Sequence, residues 1–545
     1  MQRLKNFASI TTFAGKTGRW TLIALVVAVL LVVVVRVRTL RIPLERDEGE
    51  YAYAGQLLLE GIPPYKLEYN MKLPGTYAGY AAIMAVFGQT ASGIHLGFLL
   101  VNLATMALLF FIARRLFDIA HAALACVCYA LLAMSPGVLG LEGHATHLVV
   151  LPALAGLLLL LHARESGKLW IFGLSGLCFG ASFVCKQPGL VFGMFGTTVL
   201  LRDLFKTPTS ERTLWSRMIV LRNDSLLMFG AGWALPFLVT CLLMSWAGTF
   251  DHFWFWTMDY AQVHASLLNW HIGLLDLEGF YESAGAMRWS WLIALVGLIC
   301  LLLDKTRSEA RFIIVSWLAF ALVAFTASFY FTRHYFIMVL PVVSILVAIA
   351  MRRAAARLGE AIPACCFGVA CAAFVFVNRA LWFQQTPGAA SHAMYGGNPF
   401  PEAVAIADYI EKHSTPKDTI AIMGSEPEIY FLAHRHSATG YIYMYDLMQT
   451  HEFALGMQKD MIREVEASKP LFMITVYVDS SWLISKSSDL TMMDWIKNYA
   501  SKYYDLVGIT WIMPDRSECV WGPDTKTRRF DTDLRVVIMQ RKPGV

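Results

Sequence analysis

The sequence predicts a polytopic α-helical membrane protein with a C-terminal extracytoplasmic α/β domain. Three observations carry this. Of 545 residues, 57% are hydrophobic and 16% charged, against roughly 45–50% and about 25% in an ordinary soluble chain. Apolar runs near the length a bilayer demands, about 20 residues, recur from Trp20 to residue 381. Beyond residue 384 they stop, and short alternating runs with ordinary charge density take over. The chain therefore divides into a membrane part, 1–383, and an extracytoplasmic part, 384–545. One large soluble enzyme and a disordered chain are both excluded. The formal charge of +5 is too mild to imply a nucleic-acid partner.

About eleven spans are expected: Trp20 to Arg36, then 93–113, 119–139, 147–163, 169–185, 188–204, 225–247, 289–303, 311–330, 335–351 and 361–381. Arg3, Lys5, Lys16 and Arg19 flank the first. It lacks a small-residue cleavage pattern, so it reads as an uncleaved helix with a cytoplasmic N-terminus. The stretch Thr76 to Thr90 is ambiguous. If it crossed, Arg114–Arg115 and the basic clusters 202–222, 305–311 and 352–357 would all lie outside. As a juxtamembrane helix on the outer surface it leaves them all in the cytoplasm, as the positive-inside rule requires. Loops 140–146 and 248–287 contain no Lys or Arg, which fits the outer side. An odd span count then places the tail outside too. Nine of the ten cysteines fall in apolar segments and read as small hydrophobes, and Cys519 has no partner within the tail.

In the tail, Pro401 to His413, Glu426 to Ala433 and Leu455 to Ser468 read as helices. Asp418 to Gly424 and Leu471 to Val478 read as strands. This alternation predicts an α/β domain with a largely parallel sheet. The Gly424–Ser425 turn is either an ordinary βα turn or an anion site.

The first outer loop, about 37–92, holds the residues most suited to chemistry. Glu45-Arg46-Asp47-Glu48-Gly49-Glu50-Tyr51-Ala52-Tyr53 follows the first span. Such a density of carboxylates is either a solvated loop or a general base held at the lipid–water boundary, its pKa raised by partial burial. Lys72 precedes the helix opened by Pro74, at the positive end of its dipole, so an anion nearby would offset the mismatch. That anion is a lipid headgroup or a substrate phosphate. Lys186 in C-K-Q-P-G and Arg333 in F-T-R-H-Y are isolated outer cations. Each could snorkel, and together with Lys72 they could clamp a phosphate leaving group. Glu142, His144 and His147 share a short outer loop, where a metal site would need further ligands, Asp47 among the candidates. The aromatics of 248–288 read as an interfacial belt or a sugar-stacking platform.

These motifs resemble the GT-C type membrane glycosyltransferases, in particular bacterial relatives of dolichyl-phosphate-mannose protein mannosyltransferases and lipid A aminoarabinose transferases. The resemblance rests on R-D-E-G-E-Y (46–51), M-K-L-P-G-T-Y (71–77), A-R-R-L-F (113–117), C-K-Q-P-G (185–189) and T-R-H-Y-F-I-M-V-L-P (332–341). G-S-E-P-E-I-Y (424–430) supports it in the tail. It implies a polyprenyl-phosphate-linked sugar donor and a glycan, lipid or protein acceptor, in a bacterial plasma membrane. It implies Asp47 as catalytic base with Glu48 beside it, and Lys72 at the donor phosphate. Lys186, Arg333 and His334 are the further donor-phosphate candidates, and Tyr51, Tyr53, Glu142 and His144 the acceptor or sugar candidates. Many relatives carry an acid after the third span where E-G-H-A-T-H (142–147) has Thr146 or His147, so no metal ligand set is assigned and a divalent metal stays open. The competing classes are a transporter and a non-catalytic scaffold. A transporter would show paired repeats or charged broken helices at mid-membrane, which the sequence lacks.

Overall fold

The structure is a computed structural model. It describes residues 16–205, 212–267, 273–275, 277–278, 288–326, 331–513 and 516–544. Helices α1 (Lys16–Thr39), α2 (Arg46–Leu59), α3 (Pro74–Phe87), α4 (Ala91–Leu116), α5 (Ile119–Leu132), α6 (Ala145–Ser166), α7 (Leu169–Cys185), α8 (Gly189–Phe205) and α9 (Arg212–Ala247) come first. They are followed by α10 (Arg288–Leu303), α11 (Ser308–Thr326), α12 (Leu340–Leu358) and α13 (Ala361–Arg379). Six helical stretches among the described residues are long and apolar enough to cross a bilayer: Thr21–Thr39, Ala91–Leu116, Ala145–Ser166, Asn223–Ala247, Lys305–Thr326 and Ala361–Gln384. Shorter apolar helices, α5, α7 and α10, pack among them. Small residues set several close approaches. A Cβ on Gly176 would sit 2.0 Å from the Phe229 carbonyl oxygen, and one on Gly297 would sit 1.9 Å from that of Leu346.

The juxtamembrane helix appears as α3, with Pro74 in its first turn. A second one, α2, was not expected, because the run 45–53 reads as a loop by its charge. Its start is nevertheless encoded. Glu45 is the N-cap and accepts from the Glu48 amide at 3.0 Å, while Glu48 accepts from the Glu45 amide at 3.3 Å. This reciprocal pair satisfies two of the amides that a helix start leaves open, and it places acids at the positive end of the dipole.

The tail forms a five-stranded sheet of β1 (Ile420–Met423), β2 (Phe472–Tyr477), β3 (Tyr504–Ile512), β4 (Ser517–Trp521) and β5 (Arg535–Arg541), in the order β1-β2-β5-β3-β4. Only β1 and β2 are parallel; β5, β3 and β4 add antiparallel pairs. The expectation of a largely parallel sheet is thus corrected. The last strands are joined without crossover helices, and antiparallel pairing is what such connections permit. Helices Phe400–Lys412, Ala454–Ser468 and Thr491–Tyr503 accompany the sheet.

The two parts share their cores. One buried cluster joins Tyr53 and Leu57 of α2 and Tyr77 and Tyr80 of α3 to Ile406, Ile422, Ile429, Ile474 and Ile538 of the tail. Gly49 makes a close approach: a Cβ there would lie 2.5 Å from the Glu428 nitrogen.

Candidate active site

The site is assembled where α2, the turns opening α3, α6 and α8, and the tail meet. Asp47 lies in the first turn of α2. Its Oδ1 is 3.6 Å from the Lys72 Nζ, and the Tyr443 hydroxyl of the tail lies 3.4 Å from the same oxygen. Tyr443 also donates to the Arg46 carbonyl at 3.1 Å, which ties it to the helix start. Lys72 Nζ donates to the Tyr51 hydroxyl at 3.3 Å and lies 5.5 Å from the centre of that ring. Lys186 follows α7, is buried, and stands 4.2 Å over the Tyr335 ring. His144, the N-cap residue of α6, stacks on His334 with ring centres 4.3 Å apart and planes within 16°. Segments far apart in sequence therefore bring Asp47, Lys72, Lys186, His144 and His334 together.

The electrostatics separate these groups by role. Burial works to raise the Asp47 carboxyl, but the charges of Lys72, then Lys186, and of Arg46 outweigh it and hold it below the usual carboxylate range. The sequence-based expectation of a raised pKa is corrected here: cations more than cancel desolvation. Lys72 is driven the other way, its own burial outweighed by Asp47 and Glu50, so it stays charged. Burial, with the neighbouring Lys72, pulls the Lys186 ammonium down despite Tyr335 and Asp47. His144 falls to about 4 and His334 well below its ordinary value, chiefly by burial, so both imidazoles are neutral.

The other expected site residues take different places. Glu48 is fully buried. Its Oε1 faces His95 Nε2 at 3.0 Å and accepts from the Gly143 amide, so it fixes α4 and the 140–144 turn against α2. Tyr53 is also fully buried. Its hydroxyl accepts from the Ser437 amide at 2.8 Å and its ring packs on Tyr430, which makes it a docking residue for the tail. Glu142 is buried behind the site, and desolvation with the neighbouring Glu48 lifts it to about 8. Arg333 turns away from the Asp47 cluster and donates to the Met394 carbonyl at 3.2 Å. Of the three expected phosphate cations, Lys72 and Lys186 converge, and His334 rather than Arg333 completes the group. The Ser425 amide is occupied by Ser481 Oγ at 2.7 Å, so the Gly424–Ser425 turn is an ordinary βα turn.

Several functional neighbours were missed. Arg46 reaches across to the tail, donating to the Ser425 carbonyl, to Glu426 Oε1 at 3.0 Å and to Asn398 Oδ1 at 3.2 Å. Tyr443 and Tyr445, rings 4.9 Å apart, hang over the Asp47 side of the site. The aromatic run Y-I-Y-M-Y-D (441–446) was the available signal.

One acid oxygen and two imidazole nitrogens, from Asp47, His144 and His334, lie within 4.8 Å of one another. Both His144 ring nitrogens are buried without a hydrogen-bond partner, and Glu45 stands 3.6 Å behind Nδ1. A neutral imidazole backed by a carboxylate is the arrangement that ligates a divalent cation.

Residues 74–229 match the dolichyl-phosphate-mannose-protein mannosyltransferase family. No curated protein matches the chain. Among solved structures, ArnT from Cupriavidus metallidurans bound to undecaprenyl phosphate aligns with a TM-score of 0.58 at 16% identity, over 97% of this chain and 99% of that one. Its apo state aligns at 0.53 and 16% identity, over 94% and 97%. The archaeal oligosaccharyltransferase AglB from Archaeoglobus fulgidus, in complex with an inhibitory peptide and a dolichol-phosphate, aligns at 0.51 and 13% identity, over 94% and 75%.

The chain has the fold of ArnT.

The alignment to ArnT runs through both the helical part and the tail, so the tail belongs to the shared architecture. With its apolar helices, this chain is an integral membrane protein.

Proposed function

We propose that the protein transfers a sugar from a polyprenyl-phosphate donor to a hydroxyl of a glycan, lipid or protein acceptor, with inversion at the anomeric carbon. The observation that carries this is one ionised acid, Asp47, set against two lysines, Lys72 and Lys186, at the rim of a helical bundle. The lysines receive the phosphate. Asp47 takes the acceptor hydroxyl proton, the acceptor oxygen bonds to the anomeric carbon, and the carbon–oxygen bond to phosphate breaks. The lipid phosphate leaves with the bonding pair and is stabilised by Lys72 and Lys186. The undecaprenyl phosphate and dolichol-phosphate of the ArnT and AglB structures support this donor class.

The low basicity of Asp47 in the free protein has a consequence. Lys72 is its main counter-charge, and a phosphate that engages Lys72 screens that field. Donor binding thereby raises the proton affinity of Asp47 at the moment a base is needed. Where a divalent cation binds, Asp47, His144 and His334 would hold it, and it would supply further positive charge for the phosphate.

The positive-inside reading puts the N-terminus in the cytoplasm and the tail outside, so transfer occurs on the extracytoplasmic face. The test is release of polyprenyl phosphate from a labelled donor by purified protein. Asp47→Asn lowers turnover by about 10²–10⁴-fold with an unchanged thermal midpoint. Retained turnover removes the base assignment, and no release by wild type returns the protein to the transporter or scaffold class.

A further inference from the structure

At the end of α8 opposite Lys186 is a groove of about 340 Å³. Arg202 of α8, Leu302 of α10, and Ser308, Arg311, Phe312, Val315 and Ser316 of α11 line it. The α11 residues recur every three to four positions, so they form one stripe along the helix. From Ser308 to Ser316 that stripe descends about 12 Å, at about 1.5 Å per residue. With Arg202 and Arg311 at the cytoplasmic boundary, as the positive-inside rule places them, the groove starts at headgroup level and runs into the hydrocarbon.

Its chemistry changes with depth. At the mouth stand Arg202, Ser308 and Arg311; further down the wall is Phe312 and Val315. The Arg202 guanidinium carbon lies over the Phe312 ring, 4.0 Å from its centre, and its Nη1 donates to Glu309 at 2.9 Å. Glu309 also accepts from Arg164, which in turn pairs with Asp203. Arg311 donates through Nη1 to the carbonyls of Leu302 and Asp304, at 3.3 and 3.4 Å. A guanidinium carries five N–H donors, and these bonds use one nitrogen of Arg202 and one of Arg311. Both arginines are thus pre-oriented while keeping donors for an anion. Basic pockets between membrane helices at the headgroup level bind anionic lipid heads.

We propose that this groove is a binding site for one anionic glycerophospholipid, in the leaflet opposite the candidate active site. Its phosphodiester lies between Arg202 and Arg311, and one acyl chain lies along Phe312 and Val315. The site tethers α8, α10 and α11 and does not depend on the transfer reaction.

Native mass spectrometry tests this on the full chain released from nanodiscs of mixed phosphatidylglycerol and phosphatidylcholine. Wild type retains phosphatidylglycerol in preference to phosphatidylcholine. Arg311→Gln, which removes charge, lowers that retention by roughly tenfold, the loss of one charge-assisted contact, and Ser316→Trp lowers it by filling the deep end without touching charge. Equal retention of the two lipids, or unchanged retention in both variants, overturns the proposal. Displacement of the lipid by millimolar inorganic phosphate overturns the lipid assignment in favour of a free anion. Transfer from the polyprenyl-phosphate donor, measured in detergent without added phospholipid, stays near wild type in both variants, which separates this site from the catalytic one.

Discussion

Asp47 is held in opposing fields, desolvation on one side and Lys72 on the other, and the balance depends on very few atoms. Lys72→Met removes the nearest cation, and the donor KM is expected to rise by about 10–100-fold, the range for a lost hydrogen bond to a charged group. A steady-state donor titration reads this. Tyr443→Phe leaves the phosphate contacts intact and frees the Asp47 turn. Turnover should fall about tenfold with donor KM unchanged, and an equal rise in KM contradicts the positioning role. Glu50 supplies a pH test. It is fully buried, accepts from the Tyr77 hydroxyl at 2.7 Å, and is lifted from 4.5 to about 7 by burial, with Asp47 adding to the rise and Lys72 opposing it. Between those two values the folded protein holds more of this proton than the unfolded chain. Its contribution to stability is therefore lost as pH rises from about 4.5 to about 7. Glu50→Gln removes that dependence. Its thermal midpoint should match wild type near about pH 5 and exceed it near about pH 8.

Helix α2 is the element on which the site and the tail both depend. It was the least legible in the sequence, because Arg46, Asp47, Glu48 and Glu50 read as loop by hydropathy. Its cap pair, Glu45 and Glu48, uses an acid where a hydroxyl is the usual signal. Six of the roughly eleven expected spans were legible, because length and apolar composition suffice in lipid. So was α3, because Pro74 marks its start. The contact between Gly49 and Glu428 was not, since nothing local in either segment encodes a partner 379 residues away. Gly49→Ala places a methyl within 2.5–2.7 Å of the Glu428 backbone and side chain. We expect a loss of about 1–3 kcal/mol, typical of overpacking, together with faster proteolytic release of the tail. Undiminished stability and protease resistance contradict tight docking.

At the scale of the molecule, the tail completes the site. Arg46 pairs with Glu426, Tyr443 approaches Asp47, and one buried cluster runs through both parts. The placing of Asp47, Lys72 and Lys186 in one region was legible from their motifs. Arg333 and the late antiparallel strands were not, because a side chain's direction and a strand's partner are decided by distant packing. The account turns on where the donor phosphate sits. The most direct measurement is a cryo-electron microscopy structure of the full chain with a non-transferable polyprenyl-phosphonate sugar. The account predicts the phosphorus-bound oxygens within ion-pair reach, about 4 Å, of both Lys72 and Lys186, with the anomeric carbon turned toward Asp47. Phosphonate density away from both lysines, or a sugar facing away from Asp47, contradicts it.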